Sequence, residues 1–183
     1  GRDSLSGVLI NLTGEILGDI HEEWELPTPE VALPHISNGM KYLLEQITIP
    51  EDRFLGIGVA MPGPFLTQEK DVVSPRDFPH WEQFPVEEKL SELLGRNVIM
   101  ENDVVAAAIG EQFHGAGRQY KDFFYLYLGA GIGGAMIHNG HPYQGFSPDT
   151  GDIGWIKHTS KGRRSRIGLY VGLMPLYSFL KGY

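Results

Sequence analysis

The stretch "NVIMENDVVAAAIGEQFHG", residues Asn97 to Gly115, decides the fold. The run NVIME has the apolar character of a buried strand, and the alanine-rich run that follows has the composition of a helix. Asn102 and Asp103 stand at the junction between the two. Ligands of open α/β sheets bind at the carboxyl ends of parallel strands, so this pair is a candidate for ligand binding. Asn and Asp are also favoured as helix N-caps, and that structural alternative stays open.

The segments before and after this stretch alternate between strand and helix patterns, which predicts an α/β layered sheet. Two apolar runs on either side of "LTGE" predict a hairpin near the start of the chain. Apolar spacing predicts a helix over residues 35–47, with Pro34 in its first turn, and a second helix that ends at Gly95. Three strands are predicted from the apolar runs "RFLGIGVAMPGPF", "NVIME" and "DFFYLYL".

A glycine-rich segment, "LGAGIGGAMIHNG", follows the last of these strands and covers residues 128–140. A strand, a glycine loop and a second strand can bring backbone N–H groups together around an anion such as a phosphate. The spacing lacks the features of a dinucleotide fingerprint and of a Walker loop. A glycine-rich hairpin without a ligand is the alternative. The candidate phosphate-loop residues are Gly129, Gly131, Gly133 and Gly134.

The segment "TGDIGWIKH" contains a carboxylate, Asp152, three residues before the aromatic Trp155. Sugars need hydrogen-bonding partners for their hydroxyls and an apolar partner for the C–H face of the ring, and these two residue types supply both. Asp in a loop is more often a turn former, so this segment is a weak signal by itself.

Composition narrows the function classes. The chain has 183 residues, 42% of them hydrophobic, and a formal net charge of −8. An acidic chain is a poor partner for nucleic acid phosphates. The absence of cysteine excludes disulfides and cysteine-ligated zinc and fits a cytoplasmic protein. No apolar run has the length of a membrane span, and no signal peptide is expected at the start of the sequence.

The order of the motifs resembles the ROK family of repressors, open reading frames and sugar kinases. The resemblance rests on "GIGVAMPGPF", "VSPRDFPHW", "VIMENDVVAAAIGE" and "YLYLGAGIGGAMIHNGHPYQGFSPDTGDIGW". It implies an actin-like, ribonuclease-H-like α/β fold with two lobes, incomplete in this chain. Residues 1–103 would form the N-terminal lobe and residues 104–183 the start of the second.

The resemblance also implies roles for particular residues. In ROK kinases the Asp of the Asn-Asp pair is the general base for the sugar hydroxyl, a role that would fall to Asp103. The glycine-rich segment lies near the ATP phosphates in those kinases. The sugar contacts implied for this chain are Asn102, Asp103, Asp152, Gly63 and Trp155.

Departures from the kinase pattern point toward the regulator branch of the family. Arg2 and Asp3 stand where kinases have a Gly-Thr pair that approaches the phosphates. Trp155 replaces a zinc-binding His, and no cysteines follow, so no zinc or other metal is expected, because His158 by itself could not build a tetrahedral site.

We therefore expect the sugar-binding effector domain of a ROK-type transcriptional regulator. The alternative is a sugar kinase that uses ATP and Mg²⁺, and a third possibility is a partner-binding scaffold without a ligand. The regulator is expected to bind a small-molecule sugar without a cofactor and to form a homo-oligomer. Contact with DNA is expected only from a separate N-terminal helix-turn-helix segment, and no membrane contact is expected.

Overall fold

The computed structural model describes residues 4–24, 28–47, 49–62, 80–81, 84–129, 131–145, 150–151, 153–160 and 163–166. The chain divides into two compact units, residues 1–102 and 103–183. The assignment of residues 1–103 and 104–183 to two lobes remains a prediction.

The first unit begins with the predicted hairpin. Strands β1 (Ser4–Ile10) and β2 (Ile16–Glu23) pair antiparallel. The side-chain oxygen of Asn11 accepts hydrogen bonds from the backbone N–H groups of Thr13 and Glu15, both at 3.0 Å. Gly14 has a φ of 84°, a conformation that glycine adopts without steric cost. The turn chemistry of Asn11 and Gly14 therefore explains why the chain reverses here.

Helix α1 (Pro29–Glu45) packs on this hairpin. A Cβ at Gly39 would clash with the side chain of Ile20, so the glycine allows the helix to lie close to the strand. The helix begins six residues before the predicted start, and the prediction that Pro34 lies in its first turn is wrong, because Pro34 is inside the helix. The carbonyl of Thr28 accepts the N–H groups of Val31 and Ala32, which starts the helix earlier.

Strands β3 (Ile57–Met61) and β4 (Val98–Asn102) form a parallel pair. Helix α2 (Val86–Leu94) lies in the connection between them and ends at Gly95, whose φ of 62° confirms the predicted C-cap. Met61 is the register partner of Asn102, so both strands end at the same edge. The main cluster of buried apolar side chains described in this unit contains Ala32, Leu33, Ile57, Trp81, Val86, Leu90, Val98 and Met100.

The second unit begins with helix α3 (Asp103–His114). It packs on an antiparallel sheet of three strands, β5 (Phe123–Leu128), β6 (Ile132–His138) and β7 (His141–Pro142). The contact is made by small and branched side chains, with Ala108 of the helix buried against Ala135 and Ile137 of β6.

A 3-10 turn over Ile153–Trp155 follows, and then a second hairpin, β8 (Lys157–Ser160) and β9 (Arg163–Arg166). No helix in the described part of the chain is both long and apolar enough to cross a membrane.

Candidate functional site

The candidate site centres on the junction between β4 and α3. Asn102 is the last residue of β4, and Asp103 is the first residue of α3. One carboxylate oxygen of Asp103 accepts the backbone N–H of Val104 at 2.9 Å, and the backbone N–H of Asn102 donates to the Glu101 carboxylate at 2.8 Å. The carboxylate of Asp103 therefore accepts a backbone N–H in the first turn of α3, as a capping side chain does.

The environment of Asp103 changes its acidity. The residue is half-buried, and loss of hydration raises the pKa of its carboxyl group, opposed by the hydrogen bond from the Val104 N–H. A carboxylate with a raised pKa is a stronger proton acceptor than an exposed one. Its charged form is also short of hydrogen-bond donors compared with water, so a ligand hydroxyl that donates to it is stabilising.

The glycine-rich segment forms a tight turn and part of a strand. Gly129 and Gly131 flank the turn between β5 and β6, and the N–H of Gly129 donates to the carbonyl of Gly131 at 2.9 Å. Gly133 and Gly134, which the glycine spacing places in the loop, lie in strand β6 opposite Tyr127 and Leu126. The loop is therefore shorter than the glycine spacing suggests, because β6 begins at Ile132.

The glycines of this segment differ in what surrounds them. A Cβ at Gly134 would lie 2.6 Å from a ring carbon of Phe124 and 2.8 Å from the carbonyl oxygen of Gly151, so internal packing requires glycine there. A Cβ at Gly129 would clash with the Tyr127 side chain. A Cβ at Gly131 would have no neighbouring atom of the described chain within 4 Å. Packing among the described residues thus accounts for Gly134 but not for Gly131.

Gly151 lies close to strand β6. Gly151 has a φ of 89°, and a Cβ on it would lie 3.4 Å from the carbonyl oxygen of Gly134. The sequence does not predict the close approach of Gly134 and Gly151, since two glycines seventeen residues apart carry no local signal of contact. Gly63 and Asp152 lie outside the described residues, and the backbone of Trp155 belongs to the 3-10 turn.

The described residues contain no cluster of three His, Asp or Glu side chains that could hold a metal ion. His141 lies in β7 and His158 in β8, and both are exposed. Whether the protein holds zinc stays a prediction.

The fold is that of solved ROK family proteins. The ROK family glucokinase from Streptomyces griseus, in complex with glucose and AMPPNP, superposes with a TM-score of 0.82 at 22% identity, covering 99% of this chain and 58% of that one. A ROK family transcriptional regulator, a homologue of the E. coli Mlc protein, superposes with a TM-score of 0.81 at 18% identity, covering 98% and 47%. These likenesses confirm the predicted fold.

The profile of the ROK family matches residues 1–168, and the chain belongs to this family. The xylose repressor of Bacillus spizizenii is 27% identical over 168 residues, which are 92% of this chain and 43% of the repressor. A glucokinase of Halalkalibacterium halodurans is 30% identical over 150 residues, 79% of this chain and 45% of the glucokinase. The chain therefore spans less than half the length of these curated relatives, and both functional classes of the family are represented among them.

Proposed function

We propose that this chain belongs to the effector domain of a ROK-type transcriptional regulator and binds a monosaccharide. The observation that carries the proposal is the half-buried carboxylate of Asp103, placed beside Asn102 where β4 meets α3. An ionised carboxylate that accepts a ligand hydroxyl contributes about 1.5–3 kcal/mol to recognition. Asn102 adds both a donor and an acceptor for neighbouring hydroxyls.

Further contacts are proposed from the family resemblance. Asp152 would accept sugar hydroxyls, Trp155 would cover the apolar face of the ring, and Gly63 would let backbone approach the ligand.

The sequence supports the regulator over the kinase at three positions. Arg2 and Asp3 are bulky and charged where the kinase pattern has small residues beside the phosphates, and Trp155 stands in place of the zinc-binding His. The alignment with the xylose repressor also extends over more of this chain than the alignment with the glucokinase.

A sugar kinase is the second candidate, favoured by Gly131, where a Cβ would meet no atom of the described residues within 4 Å. In that function Asp103 would take the proton of the attacking hydroxyl, and the backbone at Gly129 and Gly131 would lie against the nucleotide phosphates. Mg²⁺ with ATP would supply the phosphoryl group and neutralise its charge. The raised pKa of Asp103 suits a general base.

Two measurements on the full-length protein separate these functions. Isothermal titration with a panel of hexoses, N-acetylhexosamines and pentoses tests sugar binding, and Asp103→Ala should weaken it strongly. Coupled ADP release with ATP, Mg²⁺ and the bound sugar tests phosphoryl transfer. Turnover of roughly 1–100 s⁻¹, the range typical of kinases, that is lost in Asp103→Asn would replace the regulator with the kinase.

A further inference from the structure

The outer edge of strand β4 is the edge that faces away from β3. Among the described residues β4 pairs with β3 alone, and the N–H of Ile57 in β3 donates to the carbonyl of Asn97 at 3.3 Å. Backbone groups of successive strand residues point to opposite sides, so the N–H groups of Val98, Met100 and Asn102 point away from β3. A neighbouring strand would usually supply acceptors for such N–H groups. At this edge the described acceptors are side chains.

Each of these three N–H groups donates to a side-chain oxygen. The Val98 N–H donates to the hydroxyl oxygen of Ser91 at 3.2 Å, and the Met100 N–H donates to the carboxylate of Glu87 at 3.0 Å. The N–H of Asn102 donates to the carboxylate of the preceding residue at 2.8 Å. Glu87 and Ser91 both belong to helix α2, and the Ser91 hydroxyl donates to the Glu87 carbonyl at 2.7 Å. Helix α2 therefore holds β4 along its outer edge.

The bond between Met100 and Glu87 is the strongest of the two that α2 makes to this edge. A carboxylate accepts a stronger hydrogen bond than a hydroxyl oxygen does, and this bond is partly buried. Acidic residues are favoured in the first turn of any helix, and α2 has two of them, Glu87 and Glu88. Glu88 is 64% exposed and lies 3.6 Å from the ammonium group of Lys89. The contact with β4 therefore distinguishes Glu87 from its neighbour.

The position of Met100 determines the direction of the Asn102 side chain. Side chains alternate along a strand, so residues 100 and 102 lie on the same face of β4. Met100 is 1% exposed and belongs to the main buried cluster, and Asn102 is half-buried at the end of the strand. A shift of the strand by one residue would turn Asn102 to the other face. The hydrogen bond to the Met100 backbone opposes such a shift.

We propose that Glu87 is a positioning residue for the sugar contact made by Asn102. Its carboxylate holds the Met100 N–H, which fixes the end of β4 and with it the Asn102 side chain. This inference rests on the proposed function, because Asn102 is a proposed sugar contact. Glu87 needs no contact with the sugar. A side chain that is held in its binding position loses less conformational freedom when the ligand binds, so its hydrogen bonds contribute more to affinity.

A double-variant cycle on sugar affinity tests whether Glu87 acts through Asn102. Wild type, Glu87→Ala, Asn102→Ala and the double variant are made in the full-length protein and titrated calorimetrically with hexoses, N-acetylhexosamines and pentoses. Glu87→Ala should raise Kd by about twofold to tenfold, the equivalent of one neutral hydrogen bond. The double variant should bind no more weakly than Asn102→Ala, because the contact that Glu87 positions is already gone. Effects of the two substitutions that multiply would overturn the proposal.

Variants of α2 separate positioning from the loss of a charge. Glu88→Ala removes the same charge from the same helical turn and should leave Kd unchanged. Glu87→Gln keeps an oxygen acceptor and should recover most of the affinity that Glu87→Ala loses. An equal loss in Glu88→Ala, or no recovery in Glu87→Gln, would overturn the proposal. If Glu87→Ala does not fold, Glu87→Asp takes its place in the cycle, since its carboxylate is one methylene further from β4.

Amide hydrogen exchange measured by NMR reports on the edge of β4 without a sugar. Glu87→Ala should speed the exchange of the Met100 and Asn102 amides, and Glu88→Ala should not. Unchanged exchange in Glu87→Ala would overturn the proposal. If the wild type binds no sugar and these amides still lose protection, the proposed function fails and the hold of Glu87 on β4 stands. If a sugar binds and the cycle shows independent effects, the proposed function stands and the positioning role fails.

Discussion

The contact of α3 with β6 and two separate residues, Asp103 and Gly131, which we call the rim residues, belong to the same unit but differ in what determines the residue type. In the contact, Ala108, Ala135 and Ile137 are buried, and the packing of the chain accounts for each of them. At the rim residues, burial raises the pKa of Asp103, and a Cβ at Gly131 would meet no atom of the described chain within 4 Å. Residues that packing explains need no ligand. Residues that packing leaves unexplained are the candidates for ligand binding.

The largest effect should come from the packed contact. Ile137→Ala removes a fully buried side chain from β6 and should destabilise the protein by about 2–5 kcal/mol, because the cavity cannot fully collapse. Urea unfolding followed by circular dichroism measures the change. Ile99→Ala is the matched control, since Ile99 is 57% exposed and its substitution should have a much smaller effect. Equal destabilisation at both positions would show that this contact is not a tightly packed core.

Among the rim residues, Asp103→Ala should weaken sugar binding by about 1.5–3 kcal/mol, or roughly tenfold to 150-fold, because a charged acceptor is removed. Titration calorimetry with the sugar selected from the panel measures it. The free energy of unfolding should not fall in the same way as in Ile137→Ala. Unchanged affinity in a folded variant would remove Asp103 from the site.

Gly134 in strand β6 and Gly131 in the turn before it test the same contrast with a single residue type. Gly134→Ala should destabilise by about 1–3 kcal/mol, because Phe124 and the Gly151 backbone would have to move. Gly131→Ala should change stability by less than about 0.5 kcal/mol, since its Cβ would have no atom of the described residues within 4 Å. Thermal unfolding of both variants measures the two changes in stability. If Gly131→Ala proved the more destabilising, the assignment of these two positions would be reversed.

The same contrast explains how much of the structure can be predicted from the sequence. The hairpin at Asn11–Glu15, the C-cap at Gly95 and the helix after Asp103 follow local signals, and the structure confirms them. The early start of α1 does not follow from apolar spacing, because Thr28 and Pro29 act as a helix start where "PTPE" suggests a connection.

The rest of the structure depends on contacts between residues that are far apart in the sequence. The sequence groups Gly133 and Gly134 with the loop because glycine density is all that a single sequence shows. Their place in β6 depends on cross-strand pairing with Tyr127 and Leu126 and on the approach of Gly151. Asn102 and Asp103 are adjacent in sequence, so their position at the junction of strand and helix can be read locally. Their roles in binding stay predictions.

The smallest effect concerns pH. Burial raises the pKa of Asp103 in the folded protein, so the native state holds this proton more tightly than the unfolded chain does. Stability from this group is therefore highest below the ordinary pKa of aspartate and falls as the pH rises through the window up to the raised pKa. Asp103→Asn cannot titrate, and its side-chain oxygen can still accept the Val104 N–H.

The stability of Asp103→Asn relative to wild type should accordingly increase with pH across that window and then become constant. Urea unfolding of both proteins from about pH 3 to about pH 8 measures this difference directly. The sugar affinity of the wild type should weaken as the pH falls, because acid protonates the carboxylate that accepts the sugar hydroxyl. A difference in stability that shrinks with rising pH would mean that hydrogen bonds to the charged form outweigh burial. The protein would then stabilise the charge on Asp103 without a ligand. Interactions within the chain would explain this residue, as they explain the packed contact.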